Sequence, residues 1–329
     1  MSEVDDEEIL RSNLQVPALS PEALARIRRA TEAEWRAQVG GSPRRLWMPR
    51  VAVAAGAVLA LIGAWQFWMR GAEVREPLAT LARAEGSGVM ELHPLWRETA
   101  VGVGSVVRSG GDFEARGGSL LALRGGGNLR LAPDSKFEVI SANVVRLERG
   151  EIYVDIPPGA HADASFVALT NAGEFRHVGT QFAIAVVDGA TRLRVREGRV
   201  QWRAPDGDST VPAGTEVFIG RDSHVTRTAV DSAGPHWSWT ETMAPEIDIE
   251  NRPLTEFLEW VARETGRKLV IADERTRLQV GTIRTHGNVR GLPPMQALDA
   301  VMASTSLRFD LPAGVIRVSF AGESPTPPT

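Results

Sequence analysis

The sequence predicts a single-pass membrane protein whose larger part is an all-β domain followed by a small α+β domain. Three observations carry this. Residues 51–69, VAVAAGAVLALIGAWQFWM, hold no charge and one strongly polar residue, Gln66. From about Met90 to Arg227, apolar residues recur with period two between clusters of Gly, Pro and Asp. Beyond residue 245, proline-led segments with one apolar helical face alternate with short apolar strands.

Taken in order, residues 1–50 read as a cytoplasmic tail. It opens with Asp5, Asp6, Glu7 and Glu8, then carries a helix start at Ser20-Pro21-Glu22: a hydroxyl N-cap, proline in the first turn and an acid beside it. Over 20–38, Leu24, Ile27, Thr31 and Trp35 fall near one stripe, and Gly40-Gly41 ends the helix. Nothing else in the tail is long enough to cover that stripe. It lies on a membrane surface or in a partner's groove, with Leu24, Ile27 and Trp35 as the apolar contacts, unless the tail is an unstructured anchor.

The 51–69 segment follows. As a helix it reaches roughly 28 Å, about the hydrocarbon thickness of a bilayer. Arg44, Arg45 and Arg50 flank one end and Arg70 the other, with Trp47, Trp65 and Trp68 near the two interfaces. Fifty residues precede it, against a cleaved signal peptide. Four arginines in residues 31–50 against three in 70–89 place the N-terminus in the cytoplasm and the C-terminus outside.

Residues 70–90 read as a polar, helical stalk, and 91–227 as the β domain. Its strands are expected at 119–124, 128–132, 144–148, 151–156, 166–170, 181–187, 193–196, 199–203 and 216–219, joined by short turns such as Gly125-Gly126-Gly127 and Asp188-Gly189. An internal echo, RLERGEIYV at 146–154 against RVREGRVQW at 194–202, favours stacked hairpins or a short β-solenoid over a sandwich. Residues 228–244 read as a linker. The α+β domain, 245–321, is expected to hold two β-α-β halves: a strand at 247–249, a helix after Pro253 closing at Gly266, a strand at 268–272; then a strand around 280–285, a helix after Pro293-Pro294, and strands at 307–311 and 315–320. Residues 322–329 form a disordered Pro/Thr tail.

Composition narrows the function. The net charge of -4, with arginines interleaved with acids, argues against a nucleic-acid binder. The absence of cysteine removes disulfides, thiolate catalysis and cysteine metal sites. The six histidines are dispersed, and no metalloprotease, nucleophile-elbow or phosphate-loop motif occurs. Asp248 and Glu250, two apart on an expected strand, share a face, as a cation pair or as an ordinary solvated face. His177-Val178-Gly179-Thr180 reads equally as a polar cluster or as a turn into a buried strand. The expectation is a protein without catalytic residues, cofactor or metal.

Three stretches, 129–139 (LRLAPDSKFEV), 145–154 (VRLERGEIYV) and 173–202, resemble the FecR domain of membrane-bound sigma-factor regulators, most specifically in VGTQF at 178–182 and VREGRV at 195–200. The C-terminal part resembles the secretin/TonB short N-terminal (STN) domain, in 251–258, Glu264-Thr265-Gly266, Gly291, 295–298 and STSL at 304–307. The resemblance implies an anti-sigma or sigma-regulator protein. Its tail would bind an extracytoplasmic-function (ECF) sigma factor, and its periplasmic part would sense the signalling domain of a TonB-dependent outer-membrane receptor. Only Trp35 and Trp47 precede the span, where many members carry a longer tryptophan-rich tail, and the tail has no His-xxx-Cys-xx-Cys zinc pattern. The alternative is a membrane-anchored envelope scaffold with no sigma-factor partner.

Overall fold

A computed structural model describes residues 75–93, 97–157, 159, 166–204 and 207–320. The tail with Leu24, Ile27 and Trp35, the apolar segment 51–69 and residues 322–329 lie outside the described residues. Among the described residues, no helix is long and apolar enough to cross a membrane.

The alternation from Pro77 onward builds one 15-stranded sheet. Its first strands are β1 (Pro77–Ala84), β2 (Val89–His93), β3 (Arg97–Val101), β4 (Val106–Arg108) and β5 (Gly111–Ala115), then β6 (Ser119–Leu123), β7 (Asn128–Leu131) and β8 (Ser135–Ser141). Four strands follow, β9 (Val144–Asp155), β10 (Val167–Thr170), β11 (Gly173–Val187) and β12 (Ala190–Ala204), and then β13 (Gly207–Pro212), β14 (Thr215–Ile219) and β15 (Val225–Ala229). Every ladder of this sheet is antiparallel except β9–β10.

The sheet folds over on itself. The first half of β9 pairs with β8 and β10, and its second half with β7 and β11. Likewise β12 pairs with β14 through residues 191–195 and with β13 through 199–204. One layer therefore runs β4-β1-β6-β7-β9-β11-β12-β14-β15, and the other runs β3-β2-β5-β8-β9-β10-β11-β12-β13. Inward residues of both form one core: Leu121, Leu129, Val154, Phe182, Ile184 and Leu193 from the first, and Phe113, Phe137, Val145, Phe175, Trp202 and Val211 from the second. Strands that pass from layer to layer at a bend are how sandwiches make corners.

This corrects the stacked-hairpin or solenoid expectation, and the echo explains why it arose. Each echo contains a glycine at a corner: Gly150 in β9 (φ +91°) and Gly198 in β12 (φ +73°). A Cβ on Gly150 would lie 2.4 Å from Ser135 Cα, and one on Gly198 2.2 Å from Gly179 O. The repeat in sequence is one corner made twice, not a repeated coil. The paired expectations 144–148 and 151–156, and 193–196 and 199–203, are accordingly halves of single strands. Gly198→Ala is expected to cost roughly 2–3 kcal/mol in urea unfolding, from left-handed backbone and the contact with Gly179 together.

Two further expectations are revised. Residues 77–84, read as helical stalk, are strand: Leu78, Ala79 and Leu81 are buried and β1 pairs with β4 and β6. PLATLARA has helical propensity, which burial on a sheet overrides. Residues 228–244, read as linker, are instead a strap lying on the outer face of the first layer. After β15 it contains a 3-10 turn, Pro235–Trp237, and a short helix α1 (Ser238–Thr242), with Trp237 fully buried.

The α+β part holds β16 (Arg252–Pro253), α2 (Leu254–Thr265), β17 (Lys268–Ile271), α3 (Glu274–Thr282), β18 (Arg284–Thr285), α4 (Pro294–Met302), β19 (Leu307–Asp310) and β20 (Val315–Phe320). Two β-α-β halves are visible: β16-α2-β17 and β18-α4-β19. Their first strands pair with each other, and β20 lies between β17 and β19. Residues 247–249 are not strand, although Ile249 is buried; and 274–282, partly read as strand, is α3, started by Asp273, whose carboxylate accepts from Thr276 N at 2.8 Å. In α2, Leu254, Phe257, Leu258 and Val261 form the spaced apolar face, and Gly266 closes it in the left-handed region (φ +63°). Both parts belong to one compact unit beginning at Val74.

Candidate functional site

Alternation that points Leu129, Ile152, Val154, Phe182 and Leu193 into the core points their neighbours outward. Register then lines these up in ranks across the first layer. One rank runs Arg130, Tyr153, Ala183, Arg194 and Glu216 over β7, β9, β11, β12 and β14; the next begins Asn128, Asp155, Gln181. Such a face reads as solvated. Here the strap and the C-terminal turn of α2 cover it, and Arg130, Tyr153, Asp155, Gln181 and Arg196 are buried.

The result is a buried ionic junction between the two parts. Arg130 Nη2 donates to Glu264 Oε2 at 2.6 Å and lies 3.8 Å from Asp155 Oδ2, while its Nη1 donates to Thr240 O at 2.6 Å and its Nε to Asn128 Oδ1 at 3.0 Å. Its guanidinium sits 4.8 Å from the Tyr153 ring centre. Arg263 pairs with Asp155 and, at 3.2 Å, with Glu197. Arg196 donates to Ser232 O at 2.7 Å and Glu264 O at 2.9 Å, with Glu241 Oε1 at 3.6 Å, and stacks 5.1 Å over Trp237. Gln181 Nε2 donates to Arg263 O at 3.4 Å, and Ser232 Oγ to Gly266 O at 3.0 Å. Thus Arg130, Arg196 and Arg263 face Asp155, Glu264, Glu241 and Glu197. Charges so paired cost desolvation but fix orientation when every member has a partner.

Burial pushes the Glu264 carboxyl above its ordinary range despite the Arg130 guanidinium beside it; Glu241 moves the same way, also through burial. Burial raises Tyr153 to about 12, so its hydroxyl stays neutral. Arg263, which burial alone would lower, is held up by Asp155. A carboxyl whose folded pKa lies above its unfolded value of 4.5 binds its proton more tightly when folded. Its contribution to stability therefore grows as pH falls toward 4.5 and shrinks as pH rises through the folded pKa. His177, whose ring burial pushes its pKa down, pulls the opposite way below 6.5. The test is a difference: the urea midpoint of the unaltered chain, taken relative to that of Glu264→Gln at the same pH, should fall as pH rises from 4.5 toward 7.

The stretches that carry the family resemblance supply much of this junction: Arg130 from 129–139, Tyr153 from 145–154, Arg196 and Glu197 from 195–200, and Glu264 and Gly266 from 264–266. In the 178–182 stretch, Gln181 reaches it, Phe182 enters the core, and Gly179 sits at a bend. His177 lies on β11, and neither ring nitrogen has a hydrogen-bond partner among the described residues. Asp248 and Glu250 do not form a cation pair. Asp248 accepts from Glu250 N, while the Glu250 carboxylate binds His286 Nδ1 and Gly287 N, each at 3.0 Å. Gly125-Gly126-Gly127 is the β6–β7 hairpin turn. Leu24, Ile27 and Trp35 lie outside the described residues. Arg130, Tyr153, Asp155, Arg196, Trp237 and Arg263 were given no role from sequence, although Arg130, Tyr153 and Arg196 lie in the stretches that carry the resemblance. The available signal was the charged and aromatic set on the non-core positions of the very strands the period-two pattern identifies.

Among known proteins, no curated protein matches the chain. Two crystal structures of a proposed anti-sigma factor from Parabacteroides distasonis ATCC 8503, at 2.50 and 1.65 Å resolution, are each 13% identical, cover 63% of this chain and 96% of their own, and superpose with a TM-score of 0.32. The protein family described as FecR protein matches residues 114–201. That stretch runs from the end of β5 into β12 and contains Arg130, Tyr153, Asp155, Gln181 and Arg196, so the matched residues are the part of the sheet that carries the junction.

Proposed function

We propose that this chain is an inner-membrane signal transducer of the FecR-type sigma-regulator kind, with no catalytic role. The observation that carries the reading is the FecR match over residues 114–201, in a chain that also holds the uncharged segment 51–69. In this reading 51–69 spans the membrane, residues 1–50 face the cytoplasm, and the unit from Val74 onward is periplasmic. The α+β part, with its paired β-α-β halves, takes the place of an STN domain and meets the signalling domain of a TonB-dependent receptor. The tail holds an ECF sigma factor through Leu24, Ile27 and Trp35.

Work passes through such a protein as binding energy: a partner that prefers one arrangement of the outer unit shifts its population. Joint replacement of Leu24, Ile27 and Trp35 by Ala is expected to abolish co-purification of an ECF sigma factor while leaving membrane insertion intact. Unchanged co-purification would remove the tail assignment. A reporter fused after Thr329 should be active in the periplasm; activity confined to the cytoplasm would overturn the topology.

A further inference from the structure

The apolar contacts of the outer unit divide unevenly. One large cluster fills the space between the sheet layers and a second lies within the α+β part. The small third cluster, Tyr153, Ala183 and Trp237 with Trp239 against it, belongs wholly to sheet and strap. What joins the α+β part to the rest is polar. Among the described residues, its hydrogen bonds and ion pairs to sheet and strap end on Arg263, Glu264 or Gly266, the last turn of α2 and its cap.

We infer that this turn is a latch: the α+β part undocks from the sheet as an intact body, pivoting at Pro245-Glu246, while the strap stays on the sheet. The pivot follows from the contacts on either side. Arg83 holds Thr242 O and Ala244 O, Arg130 holds Thr240 O, and Trp237 is buried against Tyr153, so the strap is tied to the sheet up to Ala244. From Ile247 onward the chain packs on the α+β core. A cleft of about 440 Å³ lined by Arg83, Leu120, Ala122, Asn128 and Pro245 lies beside the two residues between.

Opening leaves both buried cations of the sheet and strap with a carboxylate and releases Glu197, which is half exposed, to water. On the sheet and strap, Arg130 keeps Asp155 at 3.8 Å and Arg196 keeps Glu241 at 3.6 Å; on α2, Arg263 and Glu264 are neighbours in sequence. Ionic contacts exchanged for water change free energy little, whereas each apolar core would resist division. Polar interfaces of this kind are where parts of a chain move relative to one another. The latch does not depend on the sigma-factor or membrane assignments.

Gly266 gives the test its lever. In its left-handed conformation a Cβ would lie 2.2 Å from both Arg196 Nε and Ser232 O, whereas at Gly291, also left-handed (φ +76°), a Cβ meets nothing within 4 Å. The chain has no cysteine, so Val187→Cys and Leu278→Cys, both at exposed positions, place two labels on the full-length chain in detergent, one on each body. Distance distributions by pulsed electron resonance should show at least a tenfold rise in a longer separation for Gly266→Ala, and none for Gly291→Ala. If Gly266→Ala unfolds the α+β part, seen as loss of its near-ultraviolet dichroism, Arg263→Gln, which removes the pairs to Asp155 and Glu197, is read by the same criterion. A distribution indistinguishable from that of the labelled parent, or the same change in Gly291→Ala, would overturn the latch.

Discussion

Arg130→Met is expected to lower the unfolding free energy of the unit from Val74 onward by about 3–5 kcal/mol, because it leaves the Glu264 carboxylate buried with no cation. The guanidinium is fully buried and satisfies four groups at once: Glu264, Asn128, Thr240 O and, more distantly, Asp155. Methionine fills part of the volume but offers no donor. Asp155 retains Arg263; Glu264 keeps no ion pair, and its carboxyl already sits above its ordinary range through burial. Replacing both partners, Arg130→Met with Glu264→Met, should recover a substantial part of the loss, since an apolar pair leaves no unpaired charge. Urea titrations of the two single variants and the double variant measure the coupling. A loss under about 1 kcal/mol for Arg130→Met would mean that water enters the junction freely and that the pairing does not orient the two parts.

Trp237→Ala is expected to cost a similar amount, about 3–5 kcal/mol, for a different reason. The indole is fully buried, meets the Tyr153 ring edge-on at 5.9 Å between centres, lies under Arg196, and donates from Nε1 to Asp231 O at 2.9 Å. Alanine opens a cavity that the sheet beneath, held by its ladders, fills only in part. It also removes the aromatic face under Arg196, so the strap loses its anchor and the junction one wall. Trp237→Phe should restore most of the loss, because it returns ring area but not the Nε1 donor. If alanine and phenylalanine destabilise equally, the hydrogen bond to Asp231 O, and not packing, holds the strap.

Both residues show where reading the sequence stops. Arg130 sits in LRL between two core leucines, and alternation correctly turns it to the opposite face. Whether that face meets water or protein depends on residues 100 and more positions away, Thr240 and Glu264, whose approach no local pattern encodes. Trp237 lies among Ser, Gly and Pro, a composition that reads as a linker; the indole is core only because the strap crosses the sheet there. The β1 segment fails in the reverse sense. Its Ala, Leu and Arg favour helix locally, and only an open edge beside β6 and a core waiting for Leu78 and Leu81 make it strand.

Short-range physics set much of the molecule from sequence alone. Period-two alternation picked out most of the strands between 119 and 219, but not β8 (Ser135–Ser141) or β13 (Gly207–Pro212). Spaced apolar faces with Pro before and Gly after defined α2; the same pattern suggested two β-α-β halves but set their first strands at 247–249 and around 280–285, where the structure has Arg252–Pro253 and Arg284–Thr285. The fold-over of the sheet at Gly150 and Gly198, the covering of its charged face, and the convergence of that face on Arg263–Gly266 were decided only in three dimensions. Each brings together groups far apart along the chain, and the free energy of such contacts comes from mutual burial that no single segment carries by itself.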